Sequence, residues 1–521
     1  KLGREILTWQ TDAALNTGAK TYSLYDNKNR IVAVYPPGAV AANSEIIFNY
    51  TYDGSDNIIT KKTPGKGLER FVYNTKYQPT FYKDATYATN DWLHTKYDIY
   101  GRIDSVGRMN IANPAGDTKY PLLDTFSIAS YFTVPVTDGV KYGKLKQSKT
   151  RILGTNLWLQ SDYNYDAFGR VNSVTGNNHL NPSTTAETIT TTYDFADHIM
   201  TINRVHKPSS SQTHNVNQRF TYDAAGRQGN LFININGGGE KKISNQTYTF
   251  KDQLAEKNLG AFNTTYLQSI DYSYNEQGWL TSINGPTLGS PYLAFPTGCS
   301  PALPNTPSTP VGTDPDVHDL FYMEMKYDTV FSSTSGGITG MPANLQKSGN
   351  ISQIAWRIKG RDRQAYNFTY DYLNRMLNST HYKVSAANAA TTSNNYNENL
   401  TYDSRGNIMT LQRQGYYTPA CSYNTIDNLI YNYTTDLSRL ASITENASAT
   451  YKSRGFNPGS GGVGYSYDNN GNLKSDTYKG ITNIVYNHLN LPTQILWGTT
   501  KSLEFLYDAS GNKLRKTVKT G

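Results

Sequence analysis

An all-β fold, built as an array of hairpins, is predicted by three observations on this 521-residue chain. A Tyr-Asp pair, two variable residues, Gly, and then Arg or Asn recurs from end to end, each time leading into an alternating strand. Tyrosine is heavily used, 42 against 17 Phe, while only 17% of residues are charged. Apolar residues alternate with a period of two, and amphipathic runs with the 3.6-residue helical period are missing. Tyrosine in this number suits strands that are wet on one side, because the ring packs while the hydroxyl still finds a partner.

The clearest copy is YDAFGRVNSV, Tyr165 to Val174. Asp166 is favoured at the start of a type I turn, where its carboxylate accepts backbone N–H groups. Gly169 supplies the left-handed residue of the bulge that follows such a turn. Val171 and Val174 then pair back on the strand carrying Tyr163 and Tyr165. Arg170 is expected to face solvent or an enclosed space, and the recurring tyrosines to stack as rungs along the sheet.

Four regions follow from the spacing. Residues 1–160 carry worn copies among loops: LYDNKNRIVAV (24–34), with Asn29 where Gly would stand, TYDGSDNIIT (51–60), and KYDIYGRIDSV, containing Tyr97, Asp98, Gly101 and Arg102. Residues 161–284 are tighter: Tyr165, Tyr193 and Tyr222 stand 28 and 29 residues apart, the last with Asp223, Gly226 and Arg227. A period of this size is one supersecondary unit per repeat. TFKDQLAEKNL and SYNEQGWLTSI continue in substituted form. Residues 285–318, rich in Pro, Gly, Ser and Thr, read as an insertion loop that cannot supply a regular ladder. Residues 319–521 resume with KYDTVFSS, then SGNISQIAWRIKG and TYDYLNRMLNS. The remaining copies hold Tyr402, Asp403 and Gly406; Tyr467, Asp468 and Gly471; and Tyr507, Asp508 and Gly511.

These motifs, with GNISQIAWR, YDYLNRML, YDNNGNLKSD, YNHLNLP and YDASGNKLRKT, resemble the YD repeats of Rhs proteins, teneurins and the BC cocoons of insecticidal toxins. The stretch from Gly349 to Thr517 looks especially like Rhs proteins of Bacteroidetes-type bacteria. The resemblance implies a YD-repeat β-hairpin solenoid coiling into a hollow shell or spiral barrel. It also implies a function: a secreted or cell-surface structural shell that sequesters and delivers its own C-terminal effector, commonly a toxin, with export by type IX machinery. Neither the core segment that usually precedes such a cargo nor the cargo itself is visible before Gly521, so no cleavage residue is carried over. Sheet physics agrees, since repeats are stabilised by their neighbours and right-handed twist makes a long sheet coil. The alternative is a surface adhesin or carbohydrate-binding module.

Catalytic constellations are missing: no Gly-x-Ser-x-Gly, His-Glu-x-x-His or Walker-type loop occurs. The reading is therefore not an enzyme, with no cofactor and no metal. The Gly-x-Gly-x-x-Gly from Gly459 leads into a strand and reads as a loop. Asp314, Asp316 and Asp319 read as solvated acids, Asp468–Asn472 as a hairpin turn rather than a calcium loop, and His198 and His206 as too far apart to share an ion. Cys299 and Cys421 read as incidental thiols, with a single bridge as the alternative. The net charge of +8 is scattered apart from Lys513, Arg515, Lys516 and Lys519, which argues against nucleic acid. No run approaches a transmembrane helix. The opening KLGREILTWQ, without Met or an apolar signal core, reads as part of a longer polypeptide.

Overall fold

A computed structural model of the chain describes residues 4–11, 18–39, 44–133, 139–262, 265–285, 319–331, 337–393, 395–435, 438–458 and 464–521. Among these residues helix is confined to short 3-10 segments, and strands joined by turns make up the remaining regular structure. Thirty strands form one antiparallel sheet in which each strand pairs with its neighbours in sequence. Met376–Val384 pairs with both Ala390–Thr392 and Glu398–Tyr402, so those two pieces act as one interrupted strand. Beyond it, Tyr465–Tyr467 pairs with Leu473–Asp476, and four strands from Asn483 to Thr520 form a last ladder. Of the proposed insertion at 285–318, residues 286–318 lie outside the described residues, as do the loop residues 459–463. Asp319 is buried and accepts from Gln268 Nε2 at 3.1 Å, which corrects its reading as a solvated acid.

Each motif closes a hairpin through a bulge. Tyr165 pairs with Val171 while Asn164 pairs with Ser173, so the second strand carries one extra residue. The left-handed residue is Gly169 at φ 81°, and Asn29, Asp197 and Asn374 take the same conformation at 70°, 67° and 62°. Polar side chains that bond locally tolerate this region, which is why worn copies keep the turn. KYDTVFSS and SGNIS are not separate copies. Lys326 pairs with Gln353, so both belong to one hairpin whose turn has been opened by inserted residues.

Strand direction alternates, so every motif turn lies along one rim of the sheet and every other connection along the opposite rim. Most strand residues are half-buried, as in Trp158–Tyr165 and Ile199–Ser209. Among the described residues the buried apolar cluster is small: Phe331, Ile338, Ala355, Ala365, Tyr382 and Val384. This is a wall one sheet thick rather than two packed layers around a core. Cys421 is disulfide-bonded, which corrects the reading as an incidental thiol, and Cys299 lies outside the described residues.

The wall bends round and meets itself. Arg439 donates through Nε and Nη2 to the carbonyl of Gly65, 374 residues earlier. Asn470 donates to Asp84, 386 residues earlier. The backbone of Leu153 donates to Tyr507, and that of Ala509 donates to Arg151. His488 stacks on Phe126 at 4.1 Å between centroids. Gly65 follows the fifth described strand and Arg439 the twenty-ninth; Asp84 follows the seventh and Asn470 the thirty-first; Ile152 follows the eleventh and Asp508 the thirty-fifth. Each contact thus joins positions 24 described strands apart, 23 if the interrupted strand counts once. An odd number sets a motif turn of the later coil on an ordinary connection of the earlier one. At about 4.8 Å per strand, one turn measures about 110 Å round and about 35 Å across.

Candidate functional site: a ladder along one rim

The motif residues make a repeating network that joins each hairpin to the next. In the copy at Tyr165, Asp166 Oδ1 accepts the backbone N–H groups of Phe168 and Arg170, both at 2.9 Å, and Oδ2 accepts Arg170 Nε at 2.7 Å. The guanidinium then crosses to the following hairpin. Its Nη1 donates to the Asp194 carbonyl at 2.8 Å and to Asp197 Oδ1 at 2.6 Å, and it lies 4.6 Å from the ring centroid of Tyr193. Arg170 is only 19% exposed, so the expectation that it faces open space is corrected. The fork geometry of Arg suits this role, since one planar group can serve an acid, a carbonyl and a ring.

Tyrosine supplies the link in the other direction. Tyr165 donates its hydroxyl to the Leu145 carbonyl at 2.8 Å, Tyr193 to Val171, Tyr222 to Ile199, Tyr402 to Met376 and Tyr467 to Leu440. The rungs therefore run hydroxyl to carbonyl and guanidinium over ring, rather than ring on ring.

The other copies follow with local variation. Asp98 binds Arg102, with Gly101 at φ 81°, and Tyr97 donates to Pro79. Asp223 binds Arg227, with Gly226 at 79°, and Arg227 reaches Thr249 and Asp252 in the substituted copy that follows. In the copies of Asp403, Asp468 and Asp508, with Gly406, Gly471 and Gly511, the Arg position holds Asn407, Asn472 or Asn512. Those amides bond the motif carboxylate, and Asn472 also donates to Asn490 Oδ1 of the next hairpin at 2.8 Å. Tyr507 is buried where the coils meet.

Two members escaped the sequence reading. Tyr73, Asn74 and Gln78 form a complete turn in which Asn74 Oδ1 accepts two backbone N–H groups and Tyr77 takes the left-handed position. The signal was there, an Asn for Asp exchange with Tyr before it. His198 fills the Arg position behind Asp194, bonding Oδ2 at 2.9 Å and stacking on Tyr222 at 4.6 Å.

Several charged groups are engaged with one another and with the backbone. The Asp26 carboxyl is held below its usual range by the Arg30 side chain and backbone. Asp166 is also held low: burial pushes its pKa upward, but bonds from Arg170 and Phe168 outweigh it. His488 is pushed down to about 4 by burial. Lys519 pairs with Glu504 at 2.6 Å, and Lys513 lies over the Phe505 ring, so part of the C-terminal basic cluster is engaged on its own strands. Among the described residues no group of three or more His, Cys, Asp or Glu could hold a metal, and no helix is long and apolar enough to cross a membrane. A half-open cleft of about 800 Å³ lies where the coils meet, lined by Asp91, Arg108, Asp124, Lys474 and His488 among others.

Solved structures share this antiparallel wall of bulged hairpins. The chain matches TcdB2-TccC3 with Cdc42 at a TM-score of 0.64 and 15% identity, over 98% of this chain and 22% of that one. It matches TcdB2-TccC3 without its hypervariable C-terminal region at 0.64 and 14%, over 99% and 22%. It matches the Photorhabdus luminescens Tc holotoxin pore with a TccC3 mutation at 0.64 and 15%, over 99% and 22%. The chain spans about a fifth of the length of these structures. No family model matches the sequence, and no curated protein does.

Proposed function

We propose that this chain is a stretch of wall from a secreted or surface-exposed shell that encloses a C-terminal effector of the same polypeptide. The observation that carries the reading is the seam: a sheet with one rim resting on the other, a turn later, encloses space instead of forming a flat binding face. The chain acts as a container and contributes no catalysis. Its ladder makes the wall stable without a second layer, leaving one face free for cargo. Likeness to toxin structures whose C-terminal region is hypervariable supports an effector as the cargo. Export, by the type IX route or another, belongs to the proposal.

Limited proteolysis of the complete polypeptide tests it. The C-terminal segment should resist protease while the wall is intact and become sensitive when the seam is opened by Arg439→Ala together with Asn470→Ala. A segment digested at the same rate with and without the wall would contradict it.

A further inference from the structure

We propose that a cleft on the face of the sheet, where the loop from Tyr451 to Phe456 lies over Glu398, Arg413 and Tyr416, is a binding site for a short neutral oligosaccharide. The motif ladder joins tyrosine to carbonyl and arginine to ring, but here rings meet rings. Trp356 stacks on Tyr366 at 5.3 Å between centroids. From Tyr366 the contacts run through His381, Tyr396 and Tyr423 to Tyr416, at 5.2, 5.2, 5.0 and 5.1 Å. Tyr396 stands in the break between Ala390–Thr392 and Glu398–Tyr402. Beside the rings, Glu398, Arg413 and Asp427 are direct cross-strand partners and so share one face. Arg413 gives Nε and Nη2 to the buried Asp427 at 2.7 and 2.6 Å. The Glu398 carboxylate has no hydrogen-bond or ion-pair partner among the described residues. The short turn Lys452–Arg454 then closes over this face. Phe456 donates its backbone N–H to Asp427, and the approach leaves no room for a side chain at Gly455. The resulting cleft measures about 530 Å³, with Tyr366, Tyr396, Tyr416, Glu398, Arg413 and Arg454 in its walls.

This lining selects among ligand classes. A cleft of this volume lies within the range of small-molecule sites. A peptide that adds itself as a strand needs an open sheet edge. Glu398–Tyr402, Ile408–Tyr417 and Ser422–Tyr433 are each paired on both sides, so no such edge is offered here. A polyanion would meet the Glu398 carboxylate, and a polycation would meet Arg413 and Arg454. A sugar ring fits both halves of the site. Its apolar C–H face packs on tyrosine rings, and its hydroxyls both donate and accept, so one ligand can serve a carboxylate and a guanidinium together. The inference does not depend on cargo; a wall that encloses nothing would still carry the cleft.

Saturation-transfer NMR on the full chain tests it, with maltotriose, cellotriose, mannotriose and triacetylchitotriose each offered at about 5 mM. At least one sugar should receive magnetisation, with a dissociation constant of about 1 mM or tighter. Glu398→Gln and Tyr416→Ala should each weaken that binding about tenfold. Phe195→Ser, which alters a fully exposed ring on a motif turn, should bind as the wild type does. Unchanged circular dichroism in Glu398→Gln separates a lost contact from a lost fold, because that carboxylate holds nothing in the wall. Silence from all four sugars overturns the proposal. So does transfer that persists at full strength in both Glu398→Gln and Tyr416→Ala, which would place the contact on another surface.

Discussion

Tyr165 and Asp166 show how a residue pair holds two hairpins at once. The tyrosine hydroxyl reaches back to the previous hairpin, and the aspartate orients an arginine that reaches forward. Tyr165→Phe keeps the ring and leaves the Leu145 carbonyl without its donor. It should lower unfolding stability by about 1 kcal/mol, read as a lower denaturant midpoint. Sequence made the turn legible because Asp, the left-handed Gly and the Tyr before them act within a few residues of one another. It did not show that Arg170 crosses to the next hairpin, because its partners there, Asp194 and Asp197, lie outside its own turn. His198 was hidden for a related reason: histidine in the Arg position makes sense only once the Asp194 carboxylate and the Tyr222 ring are seen on either side of it.

At the scale of the element, the hairpin tolerates exchange as long as the bulge and one carboxylate, amide or hydroxyl cap survive, the hydroxyl being Thr249 in one copy. Asn29, Asn74 and Asn275 illustrate this. Where hairpins meet across the seam, tolerance ends. A Cβ on Gly471 would lie 2.5 Å from the Gly65 carbonyl oxygen, and its φ of 84° disfavours any side chain. Gly471→Ala should therefore lower the thermal midpoint by more than Gly406→Ala, whose Cβ would meet open space at a similarly left-handed φ of 96°. Acid should separate the two kinds of contact. Burial holds His488 at about 4, against 6.5 when exposed, so the unfolded chain binds the extra proton first. The stabilisation from neutral His488 is complete above about pH 6.5 and declines as pH falls toward 4. The Asp26 and Asp166 carboxyls are lowered instead, so their contribution survives to about pH 4 and is lost below it. Far-UV circular dichroism should thus persist to about pH 4 and then fall. His488→Phe, which keeps an aromatic stack on Phe126, should remove part of the stability loss between pH 6.5 and 4.

For the whole molecule, the shell was legible only through resemblance and the general tendency of a long sheet to coil. The turn length was not. Gly65 and Arg439 meet across 374 residues, and no local pattern in either stretch marks the other. A constant offset of 24 described strands is a property of accumulated twist and strand tilt, which a string of residues does not display. Single-particle imaging of the chain in solution tests the coil most directly. One enclosing turn about 35 Å across, with a central space and the C-terminal hairpins resting on the rim near Asp84 and Ile152, is the expected result. A solid particle, or an extended ribbon whose ends stay apart, would contradict it.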